Sequence, residues 1–357
     1  MKKTFAVISL ILSIVSCSTP TEIISEVPNV SPSMYFPPIG SDVWETKTMQ
    51  SVGWNASKVQ PLLDFLTLKN SKSFIVLVDG KIVMEHYFNG HSAAQPRYWA
   101  SAGKTLTAAT FGIAEQEGLV QRSNTVSATL GTGWTSAPLS KENLITNQHL
   151  LTMTSGLDDI NGDCVTANCL TYTADAGNRW AYHNVYVKLQ DVIARASGQS
   201  FISYFNGKLR DRIGMTGNWF ISGNNVVFLS TARSAARFGL FILNSGKWEN
   251  TQILNAAYIA NATSTSQNLN QAYGYLWWLN GKTSYMLPSS QMQFSGTLIP
   301  SAPADMFMAL GKNDQKIYVI PSKKMVVIRM GDSADGTNFA LSTFDRELWS
   351  KISDIIN

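Results

Sequence analysis

Sheet-forming sequence stands at both ends of this chain, and the stretch between them is helical and looped. Phe74-Ile75-Val76-Leu77-Val78, the turn Asp79-Gly80 and Lys81 to Tyr87 read as one β-hairpin. Lys316-Ile317-Tyr318-Val319-Ile320 and Met325-Val326-Val327-Ile328-Arg329 flank Pro321-Ser322 and read as a second. Helical patterns border both. Asn55 to Lys69 puts Val59, Leu62, Leu63 and Leu66 on one side, and Phe339 to Ile356 puts Leu341, Phe344, Leu348 and Ile352 on one face. The two ends are therefore expected to build a common α/β lobe, about residues 43–125 and 300–357, with a mostly helical lobe of about residues 126–299 inserted into it. A cleft between lobes is the natural place for a site. With 357 residues, 45% of them hydrophobic, the chain can bury a large core.

The N-terminus is expected to lie outside that fold. Lys2 and Lys3 form a charged start, and Phe5 to Val15 is an apolar run too short to span a membrane as a stable helix. The run ends in Ile14-Val15-Ser16-Cys17, which looks like a bacterial lipobox. Residues 1–16 are then a lipoprotein signal peptide and Cys17 carries lipid on its sulfur; a plain secretory leader is the alternative. Residues 17–42 hold Pro20, Pro28, Pro32, Pro37 and Pro38 among Ser and Thr and read as a tether, leaving 43–357 as the folded domain. The expected location is the bacterial cell envelope, with Ser18 hinting at the outer membrane. An exported compartment permits a disulfide, and Cys164 and Cys169 can close a small loop; two free thiols are the alternative. Nothing nearby in sequence completes a zinc site, so no metal is expected. The net charge of +4 comes without a basic run, which argues against nucleic acid as a partner.

Ser101-Ala102-Gly103-Lys104 is where chemistry enters. Residues three apart on a helix share a face, so Lys104 can reach the Ser101 oxygen if Ser101 opens a helix. Leu106, Ala109, Ile113 and Ala114 follow near helical spacing, and Gly118 is a plausible stop. A helix N-terminus also supplies partial positive charge where an oxyanion would develop. The plainer reading is an ordinary helix start with Ser101 as its cap. A serine–lysine pair needs a third group, because an exposed lysine is protonated at neutral pH and is no base. Tyr182-His183-Asn184 offers a phenol and an amide in a loop entering the apolar segment Val185 to Ile193. Tyr87-Phe88-Asn89 and Tyr204-Phe205-Asn206 repeat the pattern, but one ends a hairpin strand and the other lies inside an amphipathic helix.

The order of these segments resembles a family. Ser101-x-x-Lys104, Leu151-Thr152-Met153-Thr154-Ser155-Gly156-Leu157, Tyr182-x-Asn184, Ser230-Thr231-Ala232-Arg233 with Arg237-Phe238-Gly239, and Tyr273-Gly274-Tyr275-Leu276-Trp277-Trp278 occur as in serine hydrolases related to class C β-lactamases. The version is most similar to the branch of 6-aminohexanoate-dimer hydrolases and related esterases. The resemblance implies a β-lactamase/penicillin-binding-protein-like fold, an antiparallel sheet flanked by helices. It also implies that Ser101 is an acyl-accepting nucleophile, that Lys104 and Tyr182 form a coupled base and proton shuttle, and that Asn184 orients Lys104 and substrate. The backbone N–H of Lys312, directly after Gly311, would join that of Ser101 in an oxyanion hole.

One motif departs from the family. Where penicillin-recognising relatives carry Lys-Thr-Gly or His-Thr-Gly, alignment on the glycine leaves Ala309-Leu310-Gly311; an alternative register uses Lys312-Asn313-Asp314. The first register is preferred because Phe307 to Leu310 reads as a strand, and it lowers the expectation of β-lactam chemistry. His183 is expected to line the site, and Trp277 or Trp278 to wall an acyl pocket, Trp277 being the candidate. The four histidines come with no Gly-x-Ser-x-Gly elbow, and Gly331-Asp332-Ser333 reads as a turn. The expected activity is cofactor-free cleavage of small-molecule esters or amides through an acyl-Ser101 intermediate, by a protein held at a membrane by its lipid. The alternatives are a β-lactamase or D-alanyl-D-alanine peptidase, and a non-catalytic lipoprotein that binds cell-wall peptides.

Overall fold

In the computed structural model, a six-stranded antiparallel sheet draws on both ends of the chain. Its strands are β1 (Ser71–Val78), β2 (Lys81–Tyr87), β3 (Trp278–Leu279), β4 (Phe307–Gly311), β5 (Gln315–Ile320) and β6 (Met325–Gly331), in the order β2-β1-β6-β5-β4-β3. β5 and β6 are buried along their whole length, as the apolar runs Ile317 to Ile320 and Met325 to Ile328 require for strands covered on both faces, and Lys316 and Arg329 are buried with them. The structure describes Met1 and residues 34–160, 162–222, 225–336 and 341–357, and residues 34–357 form one unit. Cys17 and most of the expected leader and tether lie outside the described residues.

Side chains of β5 alternate between two helical layers. Tyr318 meets Trp349 of α4 (Thr343–Ile356) edge-on at 5.4 Å, and α4 stacks Phe344 on Phe65 of α1 (Val59–Leu68) at 5.6 Å. Ile317 points the other way, toward α3 (Ala232–Leu243). There Gly239 is needed for close approach, since a Cβ would stand 2.5 Å from Val326 Cγ1. The turn joining β1 to β2 has φ of 49° at Asp79 and 81° at Gly80, the pair of positive angles that a tight two-residue hairpin demands.

α2 (Lys104–Gln116) runs through the interior, with every residue from Lys104 to Ala114 buried. The one-sided spacing of Leu106, Ala109 and Ile113 understates this. Its threonines are accommodated because Thr105 and Thr110 hydroxyls donate to the carbonyls of Ala102 and Leu106 (both 2.7 Å), and Thr107 accepts from Gln190 (2.9 Å). The end of the proline-rich segment also differs from a tether. Met34, Tyr35 and Phe36 pack on the core, and the Arg237 guanidinium donates to the carbonyls of Pro37 (3.1 Å), Pro38 (2.8 Å) and Ser41 (3.2 Å). Residues 34–42 thus belong to the body, fastened through backbone groups that composition does not reveal.

Candidate active site

The serine is set in place by a strained turn. Strand Arg97–Tyr98 pairs with Asn225–Ser230, and Trp99 continues the contact through its backbone N–H to Phe228 O (2.8 Å) and its indole N–H to Ser230 Oγ (2.8 Å). Ala100 then takes a left-handed φ of 48°, which costs a non-glycine residue on the order of 1 kcal/mol. Ala100–Gly103 form a single 3₁₀ turn that leads directly into α2. Ser101 is half-buried within that turn, and neither the turn nor α2 has a side-chain cap. Its Oγ accepts from Lys104 Nζ at 2.9 Å instead, so the plain capping reading does not describe it.

Lys104 is 2% exposed, and none of the ion pairs among the described residues includes it. Its Nζ also donates to Asn184 Oδ1 at 2.9 Å and lies 4.9 and 4.6 Å from the ring centres of Tyr182 and Tyr186. Burial pulls the amine down to about 7, with the negative charge of Asp163 a partial counterweight. A substantial fraction of Lys104 is therefore neutral at neutral pH and can take a proton. Burial pushes the Tyr182 phenol up to about 12, against hydrogen bonds to its oxygen from Ser101 and Trp278, so it stays protonated. Ser101, Lys104, Tyr182 and Asn184 are thus gathered at one place.

The loop carrying Tyr182 is braced by the segment Leu151 to Leu157. Ala181 N donates to Met153 O (2.9 Å), Gly177 N to Thr154 O (2.8 Å), and Thr173 and Ala174 N to Gly156 O (3.0 and 2.9 Å). His183 is part of this brace and does not line an open cleft as expected. It is 3% exposed, pairs with Ser155 Oγ (3.3 Å), and burial lowers it to about 4, leaving it neutral. On the sheet side, Gly311 ends β4 directly against the serine turn, where a Cβ would stand 2.2 Å from Trp99 O. Residues 309–311 are strand and 312–314 a short turn, the arrangement of the first register, and the Lys312 side chain is exposed.

Trp277 is misplaced by the sequence reading. It stacks on Phe238 at 6.0 Å and meets Phe307 at 5.3 Å inside the core. The neighbouring Trp278 faces the site instead, 5.6 Å from the Tyr182 ring, because adjacent residues in extended chain point to opposite sides. Tyr186 and Asp163 are further members that sequence reasoning missed. Tyr186 lies two residues past Asn184 and could have been found by its nearness, whereas Asp163 has no local signal. Asp163 Oδ1 accepts from Asn184 Nδ2 at 2.9 Å, and Gly162 O accepts from the Asn184 N–H at 2.9 Å. Cys164 and Cys169, which follow, are joined by a disulfide with Cα atoms 5.8 Å apart.

Solved structures with this fold include one described as a 6-aminohexanoate-dimer hydrolase from Bacillus anthracis, 19% identical, with a TM-score of 0.67 over 87% of each chain. One described as a β-lactamase from Bacteroides dorei is 15% identical, with a TM-score of 0.67 over 85% of this chain and 99% of that one. A family VIII carboxylesterase is 14% identical, with a TM-score of 0.59 over 84% and 98%. No curated protein sequence matches the chain. The Beta-lactamase family profile matches residues 70–346, which contain the whole cluster around Ser101 and all six strands of the central sheet. The chain belongs to the β-lactamase family of serine hydrolases.

Proposed function

We propose that this protein hydrolyses esters or small amides through an acyl-Ser101 intermediate. The observation that carries the reading is the buried, unpaired Lys104 amine at 2.9 Å from Ser101 Oγ. Neutral Lys104 takes the Ser101 proton as Oγ bonds to the substrate carbonyl carbon. The carbonyl oxygen becomes an oxyanion received by the N–H groups of Ser101 and Lys312, a role that the close approach of Gly311 to the serine turn supports. As the bond to the leaving group breaks, Tyr182 hands it a proton and is reprotonated by Lys104. Water then gives a proton to the same pair and attacks the acyl carbon, and Ser101 leaves with a proton restored to Oγ. Ala309-Leu310-Gly311 offers no basic or hydroxyl side chain for a substrate carboxylate, which favours esters and simple amides over β-lactams.

Turnover of p-nitrophenyl butyrate and of nitrocefin by the full chain, beside Ser101→Ala, tests this. Ester turnover that vanishes in the variant, with slow nitrocefin cleavage, is expected. Rapid nitrocefin cleavage would replace the reading with a β-lactamase in which the exposed Lys312 holds the substrate carboxylate. Ester turnover that survives in Ser101→Ala would refute the acyl-enzyme. We further propose that Cys17 is lipidated and holds the protein in the bacterial envelope. The charged start, the apolar run to Val15 and Ser16-Cys17 support this, and a Cys164–Cys169 disulfide suits an exported compartment.

A further inference from the structure

Asp163 has no part in the steps above, yet it meets Asn184, which joins the disulfide loop to the lysine. The Asn184 amide has two ends of similar size and opposite character, a carbonyl that accepts and an NH₂ that donates. Its Oδ1 accepts from Lys104 Nζ, and its Nδ2 donates to Asp163 Oδ1, each at 2.9 Å. An ionised carboxylate only accepts, so it selects the orientation with Nδ2 toward itself and Oδ1 toward the lysine. The reverse orientation would aim an N–H donor at Lys104. It would repel the charged amine, and with the neutral amine it would occupy the lone pair needed for the Ser101 proton.

We propose that Asp163 is a positioning residue that locks the Asn184 amide and thereby keeps the Lys104 lone pair free for Ser101. This rests on the acyl-enzyme reading. The Asp163 side chain is exposed, but the backbone beside it is tied, since Gly162 O receives the Asn184 N–H (2.9 Å) and the disulfide begins at the next residue. The other titratable groups around Lys104 are Tyr182 and Tyr186, whose phenols burial keeps protonated, and buried, neutral His183. Asp158 and the Asp159–Arg179 pair act on His183 from the same loop, and among the described residues Asp163 is the carboxylate whose charge bears on the lysine.

The test is kcat and KM of Asp163→Asn and Asp163→Glu in the full chain, from about pH 5 to 9. In Asp163→Asn the amide lock is lost, and kcat is expected to fall about 10-fold while KM stays within about two-fold. Asp163 raises the lysine's proton affinity, so removing its charge should also move the rising limb of the pH profile to lower pH. Asp163→Glu keeps the anion and should keep the limb. An unchanged kcat and limb in Asp163→Asn would overturn the proposal, as would a lower melting temperature with wild-type kcat per folded enzyme. If Lys104→Ala or Ser101→Ala retained full turnover, the acyl-enzyme reading itself would fail and take this inference with it.

Discussion

Two lysines are buried among the described residues, and their surroundings are opposites. Lys316 is matched by Asp345 at 2.8 Å and Asp314 at 3.2 Å, all three almost fully shielded. The same carboxylates take Tyr318 Oη (2.6 Å), Ser342 Oγ (2.8 Å) and the N–H groups of Ala334 (3.0 Å) and Ser342 (3.1 Å). Lys104 is equally buried but meets a hydroxyl, an amide carbonyl and two aromatic rings. A buried charge with a partner fastens structure, because removing either member strands the other in a dry interior. An unpaired one is unstable as an ion and therefore ready to exchange a proton. Burial makes both sites, and the presence or absence of a carboxylate beside the amine sets them apart, Lys316 as a fastening and Lys104 as the base of the proposed mechanism.

The comparison breaks most readily at Lys104→Met. Turnover should fall about 10²- to 10⁴-fold, the usual contribution of a positioned base. Stability should move the other way, rising on the order of 2 kcal/mol near pH 6, because an unpaired amine is replaced by an apolar chain of similar length. Below about pH 7 the folded amine is charged and its burial penalty is fully present. Between there and the ordinary lysine value of 10.5 the unfolded chain holds a proton that the fold has released, so the wild type gains stability as pH rises. The advantage of the methionine should therefore shrink toward pH 10. Urea unfolding of both proteins across this range measures it, and a variant less stable than wild type at pH 6 would mean that Lys104 is paired after all.

Lys316→Met should do the reverse. It strands Asp314 and Asp345 without their cation in a dry interior, and a loss of about 3 to 5 kcal/mol is expected. The same melts check it, and a neutral or stabilising result would show that the two lysines do not differ in kind. Activity per folded molecule is expected to change far less than in Lys104→Met.

Much of this contrast is legible in the amino-acid sequence, and the illegible part has a physical cause. The hairpins show in apolar runs around Asp79-Gly80 and Pro321-Ser322 because strand patterning and turn chemistry are local. Ser101 and Lys104 show because three-residue spacing on a helix is local too, and Tyr182 and Asn184 follow from the order of motifs. Trp277 and Trp278 cannot be told apart, since adjacency says only that they face opposite ways. His183 sits in the right tripeptide, but the Ser155 contact that turns it into a brace depends on a distant segment. Asp163 is separated from Asn184 by a disulfide loop and a long turn, so no spacing rule relates them. Residues 34–42 are held through carbonyls that Arg237 reaches across the fold, and their Pro- and Ser-rich composition says nothing of it.

The smallest change sharpens the comparison at the point where the two networks meet. Arg329, fully buried, donates to the carbonyls of Asn313 and Asp314 (both 3.0 Å), so the Lys316 network holds the turn that follows Gly311. Asn313 Nδ2 in turn donates to Tyr98 Oη, three residues before Ser101. Tyr98→Phe removes this one link and leaves both lysines with all their partners. If the paired network serves the reactive one by fixing the strand end against the serine turn, kcat should fall about 3- to 10-fold with KM nearly unchanged, and stability should drop by about 1 kcal/mol or less. If stability falls and kcat per folded enzyme does not, the Lys316 network fastens the fold alone and the two buried lysines are independent.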